Sequence, residues 1–221
     1  MSIQNRELKK RILEISYKHK LSHLGSCITA VDIIEDIFNK KKRHEIFILS
    51  SGHAGLALYC VLEKHGVVKD AQELFLKSGV HPDRLNTLQH IDGDLWSPID
   101  CSTGSLGHGL GIAVGMALAN RKDIVWCLIS DGEIAEGSIH EAFRIAEEQK
   151  LNNLVVYVNW NGWGAYRDTE SYYVPVCRYV NVFEIRTDCN YLPFLEGLAG
   201  HYHVMNEEQY KIAMEVLNAD N

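Results

Sequence analysis

The stretch IVWCLISDGEIAEGSIHEAFRIAEEQKLNNLVVYVNWNG, residues 124–162, decides the fold. It opens with an apolar run, IVWCLIS (124–130), that breaks at Asp131-Gly132. A second run, LVVYVN (154–159), breaks just before Asn161-Gly162. Runs this short and apolar, bounded by turn residues, read as strands buried on both faces. Between them, SIHEAFRIAEEQKL (138–151) carries apolar residues at helical spacing. Strand, helix and strand predict a parallel pair joined by a right-handed crossover. In such a sheet, ligands bind beyond the carboxyl ends of neighbouring strands. Asp131 and Asn161 stand at those ends, and both offer hard oxygens. Backbone carbonyls of the glycine-broken loop after Asn161 add more. Without clustered Cys or His, this donor set suits Mg²⁺ or Ca²⁺ rather than zinc. Gly132 would let a phosphate approach the backbone closely, and nearby helix N-termini favour its charge. Asp-Gly and Asn-Gly are also common turn formers, so a plain loop is the competing reading.

Working outward, EIFILS (45–50) reads as another buried strand, followed by the turn SSGH and a helix through AGLALYCVLEKHG. Residues 6–17 and 29–38 have helical spacing, with Thr29 as the N-cap of the second segment. A short helix is expected at 71–78. Residues 80–104 are rich in Gly, Pro, Asp and His and show no periodicity, which is unusual unless they line a site. SLGHGLGIAVGMALANR (105–121) reads as a helix despite Gly107, Gly109, Gly111 and Gly115. Those glycines imply close backbone packing or ligand approach. After the central unit come a strand at 179–185, a helix near 192–198, the segment HYHVM (201–205) and a helix at 207–217. One α/β domain over residues 1–221 is the economical reading, with a mostly parallel central sheet flanked by helices.

Composition narrows the class. The 221 residues carry a formal charge of −7, which argues against a nucleic-acid-binding surface. There is no apolar run long enough for a membrane span, and the start MSIQNRELKKRILEIS lacks the apolar segment of a signal peptide. The 6 cysteines form no CxxC pair, which suits a reduced, cytoplasmic protein.

The chain resembles the N-terminal, diphosphate-binding half of transketolase-type thiamine diphosphate enzymes. The family's Gly-Asp-Gly, followed about thirty residues on by Asn, appears as Ser130-Asp131-Gly132-Glu133 and then LNNLVVYVNWNG (151–162). Glu136-Gly137 and HEA (140–142) fall between them. The family's Leu-Ser-x-Gly-His-Ala appears as LSSGHA (49–54), its Ser/His/Gly opening as LSHLGS (21–26), and its Thr-Gly-x-Leu-Gly-x-Gly as TGSLGHG (103–109). The motifs stand in family order over residues 15–165. The resemblance implies a three-layer thiamine diphosphate-binding fold and a set of roles. Asp131, Asn161 and the Trp163 carbonyl would hold Mg²⁺, with Ca²⁺ as a substitute. Gly104, Leu106, Asp131, Gly132, Glu133 and Asn161 would bind the cofactor. His53 and His90 would line the channel near the thiazolium, and His23 would face substrate hydroxyls. Glu136 would act with these histidines in catalysis, sitting at the subunit interface, hydrogen-bonding toward the partner's catalytic glutamate and helping to hold a shared proton. His108 and His140 read as packing or interface residues.

The resemblance also implies what is lacking. The family's pyrimidine-binding domain, with its activating glutamate, has no counterpart in the residues after 165. A separate pyrimidine-binding subunit is therefore expected, closing as an α2β2 assembly. The expected reaction is transfer of a two-carbon ketol unit from a ketose to an aldose, sugars or sugar phosphates, through a cofactor-bound intermediate. Two alternatives stay open. One is half of a 2-oxo acid decarboxylase or deoxyxylulose-phosphate-type synthase, and the other is a non-catalytic binding module. The chain departs from the pattern at Ser130, at Asn159, and in an atypical tail from about residue 166. There the family's further substrate histidine has no obvious counterpart.

Overall fold

A computed structural model describes residues 3–91 and 94–219. Its centre is a four-stranded, wholly parallel sheet: β1 (Ile46–Leu49), β4 (Val125–Ser130), β5 (Leu154–Trp160) and β6 (Asn181–Arg186), in that spatial order. Between β1 and β4 in sequence lies an antiparallel hairpin, β2 (Gln89–Ile91) with β3 (Asp94–Trp96). It interrupts the 80–104 stretch that sequence leaves without structure.

The strands' period of two separates two cores. Val125, Cys127 and Ile129 of β4, with Val156 and Val158 of β5, face α5 (His108–Ala119) and α6 (Gly137–Glu148). Trp126 and Leu128, with Val155 and Tyr157, face α1 (Arg6–His19), α2 (Leu24–Lys40) and α3 (Gly55–Lys64). Both faces of the sheet are covered, so β4 and β5 are buried at every position. This is why they read as unbroken apolar runs rather than alternating ones. α6 buries Ile139, Ala142, Phe143 and Ala146, the single stripe that its spacing predicts. The shorter α4 (Ala71–Ser78) is capped by Asp70, whose side chain accepts the Gln72 N–H.

Three boundaries differ from expectation. α2 begins at Leu24, so Thr29 lies inside the helix and donates its hydroxyl to the Ser26 carbonyl. Gly25, Ser26 and Cys27 are weak helix formers, but packing overrides propensity there. A Cβ on Gly25 would stand 3.0 Å from the Gly200 carbonyl oxygen. The helix expected near 192–198 is a single 3₁₀ turn at Pro193–Leu195, followed by the short α7 (Ala199–Tyr202). β6 starts at Asn181 rather than 179. The last helix, α8 (Glu207–Asn218), is capped by Asn206 and packs on α1. Among the described residues, no helix is long and apolar enough to cross a membrane.

Candidate cofactor and substrate site

β4 and β5 are neighbours, with Ser130 opposite Asn159, so the loops that follow them meet at one end of the sheet. Asp131 has no exposed surface. Its Oδ2 accepts the Gly162 N–H at 2.7 Å and the Thr169 hydroxyl at 2.7 Å, and its Oδ1 accepts the Gly132 N–H at 3.0 Å. Burial raises its pKa against these hydrogen bonds. None of its partners is a cation. A buried carboxylate held only by neutral donors is costly, and a cation beside it would offset that cost. Asn161 turns its amide oxygen back to the Trp163 N–H at 2.9 Å. Gly132 packs against this loop, since a Cβ there would lie 3.1 Å from Gly164 Cα and 3.9 Å from the Trp163 carbonyl oxygen. Asp131, Asn161 and the Trp163 carbonyl therefore belong to one small region. Among the described residues there is no cluster of three or more His, Cys, Asp or Glu fit to hold a metal. The donor chemistry on offer is hard oxygen, as Mg²⁺ prefers, and the residues present fit such an ion.

Beside this region opens a small cleft, lined by Ser26 and Thr29 of α2, Asn161 and Trp163 after β5, and Gly197 and His201 of the tail. A wider cleft lies further along α2, at Ile28, Asp32 and Asp36; it shares Thr29 and Asp188 with the first but contains no histidine. The smaller cleft is the one beside the chemical groups.

Histidines gather next to it. His23 takes a left-handed backbone conformation, φ 60°, at the start of α2, and its N–H donates to the His201 carbonyl at 2.9 Å. A non-glycine residue in this region stores strain that the surroundings must hold. The His23 and His53 rings lie 5.3 Å apart, and His201 lies 6.4 Å from His23 and 6.2 Å from His53. Burial is the largest cause pushing the His53 pKa down to about 3, with repulsion from His23, His201 and His81 adding to it. Burial also lowers His23 and His201. Near neutral pH these imidazoles are uncharged, each with one donor and one acceptor nitrogen. His23 Nδ1 and Ser26 Oγ are buried without a hydrogen-bond partner, which suits a wall that a polar ligand completes.

The motif loops interlock through glycines. A Cβ on Gly52 would meet the Thr103–Gly104 backbone at 2.9 Å, and one on Gly104 would meet the His81 ring at 3.1 Å. The Thr103 hydroxyl donates to the Leu49 carbonyl at 2.6 Å, tying the two loops together. Leu106 is half-buried just before α5.

Three placements revise the sequence reading. His90 is exposed on β2, paired across the hairpin with Leu95, whereas His81 stands against Gly104 and acts electrostatically on His23 and His53. Both histidines lie in the same aperiodic stretch, and the Pro82 that follows His81 is the one local signal of a fixed turn. His201 comes from the tail, which offers no motif. Glu133 is fully buried and hydrogen-bonded inward, so it does not face the cleft. The pattern Ser130-x-x-Glu133 is a capping-box signature, a signal already present in the sequence. Glu136 is exposed at the start of α6. His140 is held by its ring nitrogen 2.9 Å from the Ile134 carbonyl oxygen, and His108 is exposed at the start of α5.

The fold is shared with the crystal structure of transketolase from Campylobacter jejuni, at a TM-score of 0.79 and 21% identity, covering 100% of this chain and 44% of that one. A subunit of apulose-4-phosphate transketolase from Phocaeicola vulgatus is 31% identical over 176 residues, 73% of this chain and 60% of that protein. Human transketolase is 34% identical over 164 residues, 64% of this chain and 24% of that protein. The chain thus spans less than two thirds of the length of these relatives. The family model described as "Transketolase, thiamine diphosphate binding domain" matches residues 9–172, and the chain belongs to that family.

Proposed function

We propose that this chain is the diphosphate-binding subunit of a two-component, transketolase-like enzyme that moves a two-carbon ketol unit from a ketose to an aldose. The observation that carries the reading is the meeting of two groups at one end of the sheet. One is the oxygen-donor region of Asp131, Asn161 and Trp163; the other is the uncharged histidine cluster of His23, His53 and His201. Asp131 and Asn161 would hold Mg²⁺ with their side chains and Trp163 with its carbonyl. Gly132 would sit against the diphosphate, with Gly104 and Leu106 bordering the cofactor. When bound, thiamine diphosphate supplies the electron sink for carbon–carbon cleavage.

The chain's own groups would bind, orient and move protons. His23, His53 and His201, neutral at working pH, can each donate to one substrate hydroxyl oxygen and accept from another. His81 is the fourth candidate, in place of His90. Trp163, resting on Gly197, and the tail that carries His201 would shield the reacting atoms from water. Glu136, exposed beside Gly107, would face the second chain of the enzyme. One fact supports such a partner: the Phocaeicola relative is itself named as one subunit of a transketolase. An α2β2 assembly acting on small sugars or sugar phosphates completes the proposal.

The test is reconstitution with a candidate pyrimidine-binding subunit, thiamine diphosphate and Mg²⁺, followed by ketol transfer across a panel of ketoses. Transfer that needs both chains, the cofactor and the metal is expected. Full activity from this chain alone would overturn the two-component reading. Carbon dioxide release from pyruvate without ketol transfer would move the assignment to a 2-oxo acid decarboxylase or synthase.

A further inference from the structure

Glu133 is a buried carboxylate that none of the steps above uses. It has no exposed surface, yet it touches three of the four motif segments. Its Oε1 accepts the Ser50 hydroxyl at 2.6 Å, from the turn that leads to His53, and the Gly107 N–H at 2.9 Å, from the start of α5. Its Oε2 accepts the Ser130 N–H at 3.0 Å, one residue before Asp131. Every donor is neutral. Gly107 has a left-handed φ of 82°, and its carbonyl is held in turn by the Ser138 hydroxyl at 3.1 Å. A carboxylate can serve three donors on its two oxygens, whereas an amide of the same shape has only one acceptor oxygen. The position therefore calls for a carboxyl group with two acceptor oxygens, although burial raises its pKa and no cation lies among its partners.

We propose that Glu133 is a positioning residue of the cofactor site. Its carboxylate fixes the Ser50 turn and the Gly107 backbone against the Asp131 loop, and so sets the shape of the diphosphate cradle without touching the cofactor. It acts through Leu106 and Gly104 on one side and through Asp131 on the other. The inference rests on the reading of this region as a diphosphate cradle.

Glu133→Gln tests it. The new amide nitrogen must point at the Ser130 N–H or the Gly107 N–H, donor against donor, so one of those amides loses its acceptor. In the full-length chain, hydrogen exchange over residues 103–110 or 128–133 should accelerate at least about tenfold, with β5 unchanged. In the reconstituted enzyme, the thiamine diphosphate concentration for half-maximal activity should rise at least about tenfold. At saturating cofactor, the ketose KM should stay within about twofold. A merely structural loss would lower the amount of active enzyme without moving that half-saturation point. A folded Glu133→Gln variant with native exchange and native cofactor dependence would overturn the inference. If Glu133→Gln does not fold, Ser50→Ala decides, because it removes one donor and leaves the carboxylate. A weaker shift in the same direction supports the role, and no shift overturns it. Failure of the wild-type enzyme to use thiamine diphosphate would instead count against the cradle reading, and the exchange measurement would still report on the tie.

Discussion

Two alanine substitutions two residues apart on α5 should shift stability in opposite directions. At Gly111 an added Cβ meets nothing within 4 Å. At Gly109 it would lie 2.5 Å from Ser50 Oγ and 2.6 Å from Ser50 Cα. Alanine in place of a helical glycine gains up to about 1 kcal/mol of backbone propensity. Gly111→Ala should keep that gain. For a chain of this length, about 1 kcal/mol corresponds to a melting-temperature change of about 2–4 °C, so a rise of that order is expected. Gly109→Ala must displace a backbone atom of Ser50, and overpacking of this kind costs about 1–3 kcal/mol. Ser50 also donates to Glu133, so the displacement strains a buried hydrogen bond. The net expectation is a fall of several degrees, measured by calorimetry or circular dichroism on the isolated full-length chain. Equal shifts of the same sign in the two variants would refute the argument, because the propensity term is common to both and only the space differs.

Other outcomes follow from the site. Asp131→Ala should abolish Mg²⁺-dependent thiamine diphosphate binding by calorimetric titration. It should also cost about 1–3 kcal/mol of stability, since Thr169 and the Gly162 amide lose their acceptor; unchanged binding would remove Asp131 from the metal site. His201→Ala should lower turnover of the reconstituted enzyme about 100-fold or more while cofactor binding persists, and wild-type kinetics would exclude His201 from the reaction. The His53 pKa is depressed in the fold, so between its ordinary value near 6.5 and about 3 the unfolded chain binds a proton that the native chain does not. This contribution is complete above pH 6.5 and is lost as pH falls toward 3, with a slope of at most about 1.4 kcal/mol per pH unit. Denaturant titrations of wild type and His53→Asn across that range should differ by this slope; parallel curves would contradict the buried neutral imidazole.

The parallel sheet is legible in the sequence because β4 and β5 are buried on both faces and end on residues that cannot continue a strand. The meeting of LSSGHA with TGSLGHG is legible as a family pattern, but its physical cause, the Gly52–Gly104 contact, needs coordinates. α2 reads five residues short because Gly25 and Ser26 carry poor helix propensity and their compensation lies in Gly200, far along the chain. His90 and His81 cannot be ranked without knowing that the chain doubles back at the β2–β3 hairpin. His201 cannot be found from spacing at all, because α7 is a four-residue turn with no periodicity to read. Glu133 reads toward the cofactor because it belongs to the motif Ser130-Asp131-Gly132-Glu133, whereas its own side chain turns inward to Ser50 and Gly107.

The pairing of β1 with β4 also governs how the chain acquires its shape during synthesis. Ile46 meets Val125 across about 80 intervening residues, and a ribosome adding about 5–20 residues per second takes about 4–16 s to supply them. Through that interval the apolar segment IFIL has no strand to pair with. Non-local parallel pairing is slow even once both strands exist. The turn that carries His53 therefore takes its place against the Asp131 loop only after β4 has been made.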